Sequence, residues 1–137
     1  MHRRLGLLLL LLPLAVPAAR AFAQDHGTAK PNLILEEVVR GMPTDENQSV
    51  RILTATLQPG DRTVAHTHRF PVGVYVLEGT FTLELKGRQP ISVKAGEGLI
   101  EPANIEMVGY NRSNSEPTRV VIFYVATPGA PFLDLVH

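Results

Sequence analysis

The sequence predicts an all-β protein with a single domain. Short apolar and β-branched runs recur along the chain, and Gly, Pro and Asn residues separate them. No stretch combines a helical stripe of apolar residues with capping residues at both ends. Several strands at this spacing are typical of a β-sandwich or a barrel. The chain contains no cysteine, so burial in a sheet core must stabilise it in place of disulfides.

Eight strands are predicted in order, at residues 49–57, 63–68, 72–77, 81–85, 91–94, 99–101, 107–110 and 119–126. Residues 33–40 are ambiguous, because Glu36 and Glu37 favour a helix while their neighbours favour a strand; we interpret the segment as a strand. Residues 41–48 form a polar loop, and the turn at 94–98 requires a glycine with positive φ. The tail after Ala126 is either an ordered extension that packs Phe132 and Leu133 or a frayed end.

The first 23 residues resemble a cleaved signal peptide. Two arginines precede an apolar stretch, and a small-x-small pattern ends at Ala23. The apolar stretch is short for a bilayer span and contains Pro13 and Pro17, so we expect no stable membrane insertion. The mature domain is then residues 24–137, and it is periplasmic or secreted. Cleavage would remove three of the thirteen Lys and Arg residues and leave ten against thirteen Asp and Glu. The resulting net charge of −3 does not favour binding of nucleic acid.

Two histidines, His66 and His68, lie one residue apart in the second predicted strand. Alternate residues of a strand share a face, so both imidazoles project the same way from positions about 7 Å apart. Val64 is expected on the same face, with Thr63 and Thr67 on the other. This pair is either part of a metal site or a surface or core feature without a ligand.

The residues around this pair resemble the two sequence signatures of the cupin superfamily. The first signature is matched by a glycine, five residues, the His-x-His pair and a later glycine, at Gly60, His66, His68 and Gly79. The second is matched at Gly96, Pro102, Asn104, Met107 and Asn111. The chain looks most like small exported cupins. The resemblance implies an antiparallel β-barrel or jelly roll over residues 24–137, a divalent metal held by three histidines and one glutamate, and a homodimer.

Only two of the four cupin ligand positions carry the expected residue. His66 and His68 match two ligand histidines, whereas Val72 stands at the glutamate position and Met107 at the third histidine position. We predict a metal site of His66, His68 and Met107. A thioether favours copper, although zinc, iron or manganese remain open. The alternative is that Met107 is an ordinary core residue, which we favour on its own terms because methionine fills irregular gaps in cores. Glu101 either closes the barrel mouth or is a solvated edge carboxylate, and we favour the second reading.

Two functions are compatible with this pattern. The first is a metal-binding cupin of the exported compartment that binds or acts on a small molecule; if it is an enzyme, it is a metal-dependent oxidoreductase or isomerase. The alternative is a non-catalytic module that stores or senses copper or a small ligand through a degenerate site. A purely structural partner protein is a third reading. The sequence decides neither the catalytic residues nor the substrate.

Overall fold

A computed structural model describes residues 28–137, and residues 32–137 form one compact unit. The predicted signal peptide, residues 1–23, and His26 lie outside the described residues. The described part of the chain consists of strands and loops without a helix. Correspondingly, it includes no helix of the length and apolar character needed to cross a membrane.

Nine strands make up this all-β unit. They are β1 (Ser49–Leu57), β2 (His66–Thr67), β3 (Val72–Glu78), β4 (Thr80–Leu85), β5 (Ile91–Lys94), β6 (Gly98–Glu101), β7 (Met107–Tyr110), β8 (Thr118–Ala126) and β9 (Asp134–Leu135). The predicted bounds of β1, β5 and β7 are confirmed, and those of β3, β4, β6 and β8 differ by one residue at one end.

Two parts of the prediction are wrong. The segment 33–40 forms no strand. Its apolar residues occur in adjacent runs rather than at every second position, so no strand register could bury them on one face. The predicted strand 63–68 contracts to the two residues of β2, and Val64, 60% exposed, turns away from the histidines.

The strands form two antiparallel sheets. One has the order β1-β8-β3-β6 and the other the order β5-β4-β7-β2-β9. Apolar side chains from both sheets form one core, and its most completely buried members include Val72, Val76, Leu83 and Tyr124. This arrangement confirms the predicted antiparallel jelly roll. The predicted glycine turn is confirmed by Gly96, which has a φ of 88°.

The C-terminal tail is an ordered part of the second sheet. Its strand β9 pairs with β2 through the partners His66–Leu135 and Thr67–Asp134. Asp134 also receives two hydrogen bonds from Arg69, at 2.9 and 3.1 Å. Phe132 packs against the core. Of the two readings of the tail, the ordered extension is therefore the correct one.

Candidate functional site

A cavity of about 130 Å³ lies inside the unit, and both sheets and the C-terminal tail line it. Most of its wall is apolar, formed by residues such as Val120 of β8, Phe81 of β4 and Phe132 of the tail. The ionisable side chains that reach this wall are His66, His68 and Glu101. The cavity therefore places three metal-binding or proton-binding groups against an otherwise hydrophobic space.

The two histidines face each other across a short gap. Their Nε2 atoms are 3.2 Å apart, and their side chains are almost fully buried, with His66 5% and His68 1% exposed. Two nitrogens bonded at about 2.0–2.1 Å to one tetrahedral zinc ion would be about 3.3 Å apart. The observed separation therefore matches that of two ligands of one metal ion, and it is also within hydrogen-bond distance.

Backbone carbonyls fix the protonation of both rings. Nδ1 of His66 lies 2.8 Å from the Val64 carbonyl oxygen, and Nδ1 of His68 lies 2.6 Å from the Phe132 carbonyl oxygen. A carbonyl only accepts hydrogen bonds, so each Nδ1 carries a proton and donates it. In a neutral ring the lone pair then lies on Nε2, the atom that a metal would bind.

Glu101 is the residue that sequence reasoning missed. It is 6% exposed, lines the cavity, and places Oε2 3.2 Å from Nε2 of His68. The interpretation of Glu101 as a solvated edge carboxylate is therefore wrong. A signal was present in the sequence, because Glu101 lies two residues after the buried Leu99 on the same strand and so shares its inward face.

Glu101 lies next to the position where the cupin pattern has its glutamate. Val72 of β3 and Glu101 of β6 are direct partners in the antiparallel ladder, and both side chains are buried. Directly opposite residues have their Cβ atoms about 4.5–5.5 Å apart on the same face of the sheet. A carboxylate on the neighbouring strand can therefore take over the region that a glutamate at position 72 would occupy.

The charge state of His68 reflects its surroundings. Burial on its own would lower the pKa of His68, but the hydrogen bond to Glu101 and the bond to the Phe132 carbonyl both raise it. The negative charges of Glu101 and Asp134 add to the same effect, so the pKa lies above its ordinary value of 6.5. Without a metal, Nε2 of His68 can hold an additional proton and donate it to the Glu101 carboxylate, 3.2 Å away.

Met107, the third predicted ligand, lies in the hydrophobic core. It is 1% exposed and is the direct partner of His66 in the pairing of β2 with β7. It is not among the residues that line the cavity. Its neighbour Glu106 points away from the site and forms an ion pair with Lys86 at 2.6 Å. A role for the Met107 thioether as a ligand stays a prediction.

The cluster is not a complete metal site as it stands. Within residues 28–137, no group of three or more His, Cys, Asp or Glu side chains is arranged so that all members could hold one ion. The pairs His66–His68 and His68–Glu101 each have ligand spacing, however, so the donor set fits a transition metal in chemistry and in pairwise distance.

Comparison with known protein families identifies the family of this chain. A family model described as a cupin domain matches residues 53–124, which is more than half of the chain. The chain belongs to the cupin family. The matched range includes His66, His68, Glu101 and Met107, so the cavity of this cupin lies within the family domain. A search of the curated proteins finds no match for it.

Solved structures share the fold at low sequence identity. A cupin-like protein from Thermotoga maritima aligns with a TM-score of 0.55 and 18% identity over 64% of each chain. The DMSP lyase DddQ from Ruegeria pomeroyi aligns with a TM-score of 0.55 and 15% identity, over 64% of this cupin and 43% of the lyase. A Klebsiella pneumoniae protein with a double-stranded β-helix domain aligns with a TM-score of 0.54 and 20% identity, over 74% of this cupin and 90% of that protein.

This cupin therefore spans less than two thirds of the length of the Thermotoga protein and of the lyase. At these identities the similarity concerns the fold.

Proposed function

We propose that this chain is an exported cupin that binds one divalent transition-metal ion through His66 and His68 inside the apolar cavity. The observation that carries the proposal is the 3.2 Å separation of the two Nε2 atoms, with each Nδ1 donating to a backbone carbonyl. Two lone pairs this close in a buried, apolar wall are favourable only when a proton or a cation lies between them.

Glu101 is the third protein ligand in this proposal. It lies beside His68 in the cavity wall. Its position opposite Val72 supports the idea that a carboxylate on β6 replaces the glutamate that the cupin pattern places on β3. Two imidazoles and one carboxylate suit zinc, iron or manganese. Met107 is the competing third ligand, and a thioether in the coordination sphere would shift the preference to copper. The two alternatives make different predictions for metal selectivity.

A metal ion bound here would polarise an oxygen of a small molecule that enters the cavity. The residues of the chain would bind and orient that molecule. The wall around Val120, Phe81 and Phe132 offers an apolar surface to the body of that molecule. The reaction class would be an oxidoreductase or isomerase reaction on a small substrate.

A non-catalytic binding module is the second candidate, and one observation favours it. Among the residues that the structure describes, the Thr63 hydroxyl is the only side-chain polar group on the cavity wall apart from His66, His68 and Glu101. This hydroxyl already donates to the Val64 carbonyl at 3.0 Å and accepts from the Gly109 amide at 2.9 Å. Few groups remain for acid or base catalysis, so storage or sensing of the metal is compatible with the site.

Elemental analysis of the purified mature protein tests the proposal. Wild type from metal-supplemented cells should carry about one transition-metal ion per chain, and a variant with both His66→Ala and His68→Ala should carry none. His137→Ala, at an exposed histidine, is the matched control and should leave the metal content unchanged. A wild type that remains empty after gentle preparation, and that takes up no added metal, would refute the proposal.

Export and dimer formation complete the proposal. The signal-peptide pattern supports cleavage after Ala23, which N-terminal sequencing of the secreted protein would test. The outer face of the β1-β8-β3-β6 sheet exposes Val50, Ile52 and Phe123, an apolar surface that supports association of two copies. Light scattering at several concentrations would measure the oligomeric state.

A further inference from the structure

The cavity limits the kind of molecule that could bind beside the metal. We infer that it takes a small monoanion whose one charged head lies against His66, His68 and Glu101 and whose compact body is apolar. This inference rests on the proposed metal site and extends it to the class of ligand. Short branched or cyclic carboxylates and enolates belong to this class.

The size of the cavity sets the first limit. Its volume is about 130 Å³, close to that of an apolar cavity of about 150 Å³ that holds benzene in another protein. By this comparison, an apolar body of about four to six non-hydrogen atoms would fill the space, with the charged head against the cluster. Long acyl chains and sugars exceed this size.

The polarity of the wall sets the second limit. Thr63 already donates its hydroxyl proton within the protein, and the rest of the wall away from the cluster is apolar. A second carboxylate or carbonyl on the ligand would therefore be buried without a hydrogen-bond donor, which costs about tenfold or more in affinity. The ligand can carry only one polar head.

The charge of the cluster sets the third limit. A divalent ion held by two neutral imidazoles and one carboxylate keeps a net charge of +1 in a low-dielectric wall. His66 and Glu101 are 5% and 6% exposed, so water screens this charge poorly. A ligand with one negative charge neutralises the site, whereas a dianion would introduce excess negative charge.

Calorimetric titration of zinc-loaded protein with four probes tests the inference. Isovalerate matches the cavity in size and charge, and it should bind at least about tenfold more tightly than each of the other three. Those are succinate, which has a second charge, isovaleramide, which has none, and octanoate, which is too long. Equal binding of isovalerate and succinate, or no binding of isovalerate, would overturn the inferred ligand class.

Two adjacent substitutions on β1 provide a matched pair. Ala55 lines the cavity, whereas Thr56 is exposed on the opposite face of the strand. Ala55→Leu should weaken isovalerate binding at least about tenfold with the zinc content unchanged, while Thr56→Leu should alter neither. Unchanged isovalerate affinity in Ala55→Leu would overturn the placement of the ligand in this cavity.

A third variant covers the case in which Ala55→Leu does not fold. Ile122→Ala enlarges the cavity, so octanoate binding should improve about tenfold. Failure of octanoate to gain affinity would contradict the placement. Zinc content, measured before each titration, separates the two proposals. A protein without zinc refutes the metal site and the anion preference together, whereas a zinc-loaded protein without the predicted selectivity refutes the ligand class alone.

Discussion

Glu101→Gln removes the one charge that distinguishes a two-histidine, one-carboxylate site from a two-histidine site. Oε2 of Glu101 lies 3.2 Å from Nε2 of His68, so an ion bonded to that nitrogen at about 2.0–2.1 Å would lie within about 4 Å of the carboxylate in a favourable orientation. A divalent ion and a unit negative charge about 4 Å apart attract each other by about 8 kcal/mol at an effective dielectric constant near 20.

The amide of glutamine keeps an oxygen that can still face the metal, so part of this attraction survives the substitution. We therefore expect metal affinity to fall by between about tenfold and about a thousandfold, which corresponds to about 1.4 to 4 kcal/mol. Competition for zinc with a coloured chelator measures the affinity directly.

Three further variants sharpen this experiment. Glu106→Gln removes an outward carboxylate and should leave zinc affinity unchanged. Met107→Leu should also leave zinc affinity unchanged, since leucine replaces methionine at low cost in a core. The double variant Val72→Glu, Glu101→Val should bind zinc at least about tenfold more tightly than Glu101→Val alone, because the two positions are direct partners across β3 and β6. Full zinc affinity in Glu101→Gln together with a loss in Met107→Leu would refute the reasoning.

Three other perturbations have expected outcomes. Glu101, the Phe132 carbonyl and Asp134 raise the pKa of His68, so protonation of His68 stabilises the metal-free protein. This contribution is fully present below pH 6.5, the ordinary pKa of histidine, and it is lost as the pH rises through the folded-state pKa. As the pH rises through this range, the melting temperature of chelator-treated wild type should therefore fall more than that of His68→Gln. Parallel curves of melting temperature against pH would contradict this. Gly109→Ala places a Cβ atom 2.7 and 2.8 Å from the Phe81 ring and should destabilise the fold by about 1–3 kcal/mol in chemical denaturation; an unchanged midpoint would show that the ring moves freely. Arg69→Gln removes the exposed ion pair with Asp134 and should speed hydrogen exchange of the Val136 amide, which bonds to the Ala65 carbonyl, without a change in global stability. Equal exchange rates would mean that this ion pair does not hold the tail.

Strands with strong alternation were predictable from the sequence. The inward residues of β1 alternate with exposed ones along its whole length, and the bounds of this strand are confirmed. The segment before His66 was not predictable in the same way. Thr63 and His66 both line the cavity although they are three residues apart, so the chain departs from strand geometry between them. The His66 ring bonds to the Val64 carbonyl inside this irregular segment.

The site residues show where local sequence reasoning reaches its limit. The pairing of His66 with His68 followed from their spacing, and the structure brings both rings to the cavity. The alternation from Leu99 indicated an inward Glu101, but the buried partner of its carboxylate, His68, is distant in sequence. The strand β9 is only two residues long, and its place is determined by pairing with β2, which a local pattern cannot reveal.

X-ray absorption spectroscopy on the metal-loaded protein shows directly which atoms bind the ion. We expect a first shell of nitrogen and oxygen atoms at about 2.0–2.2 Å with the multiple-scattering signature of two imidazoles. His66→Ala should reduce that signature by half. A first shell without imidazole would contradict the claim that the two buried histidines hold the ion.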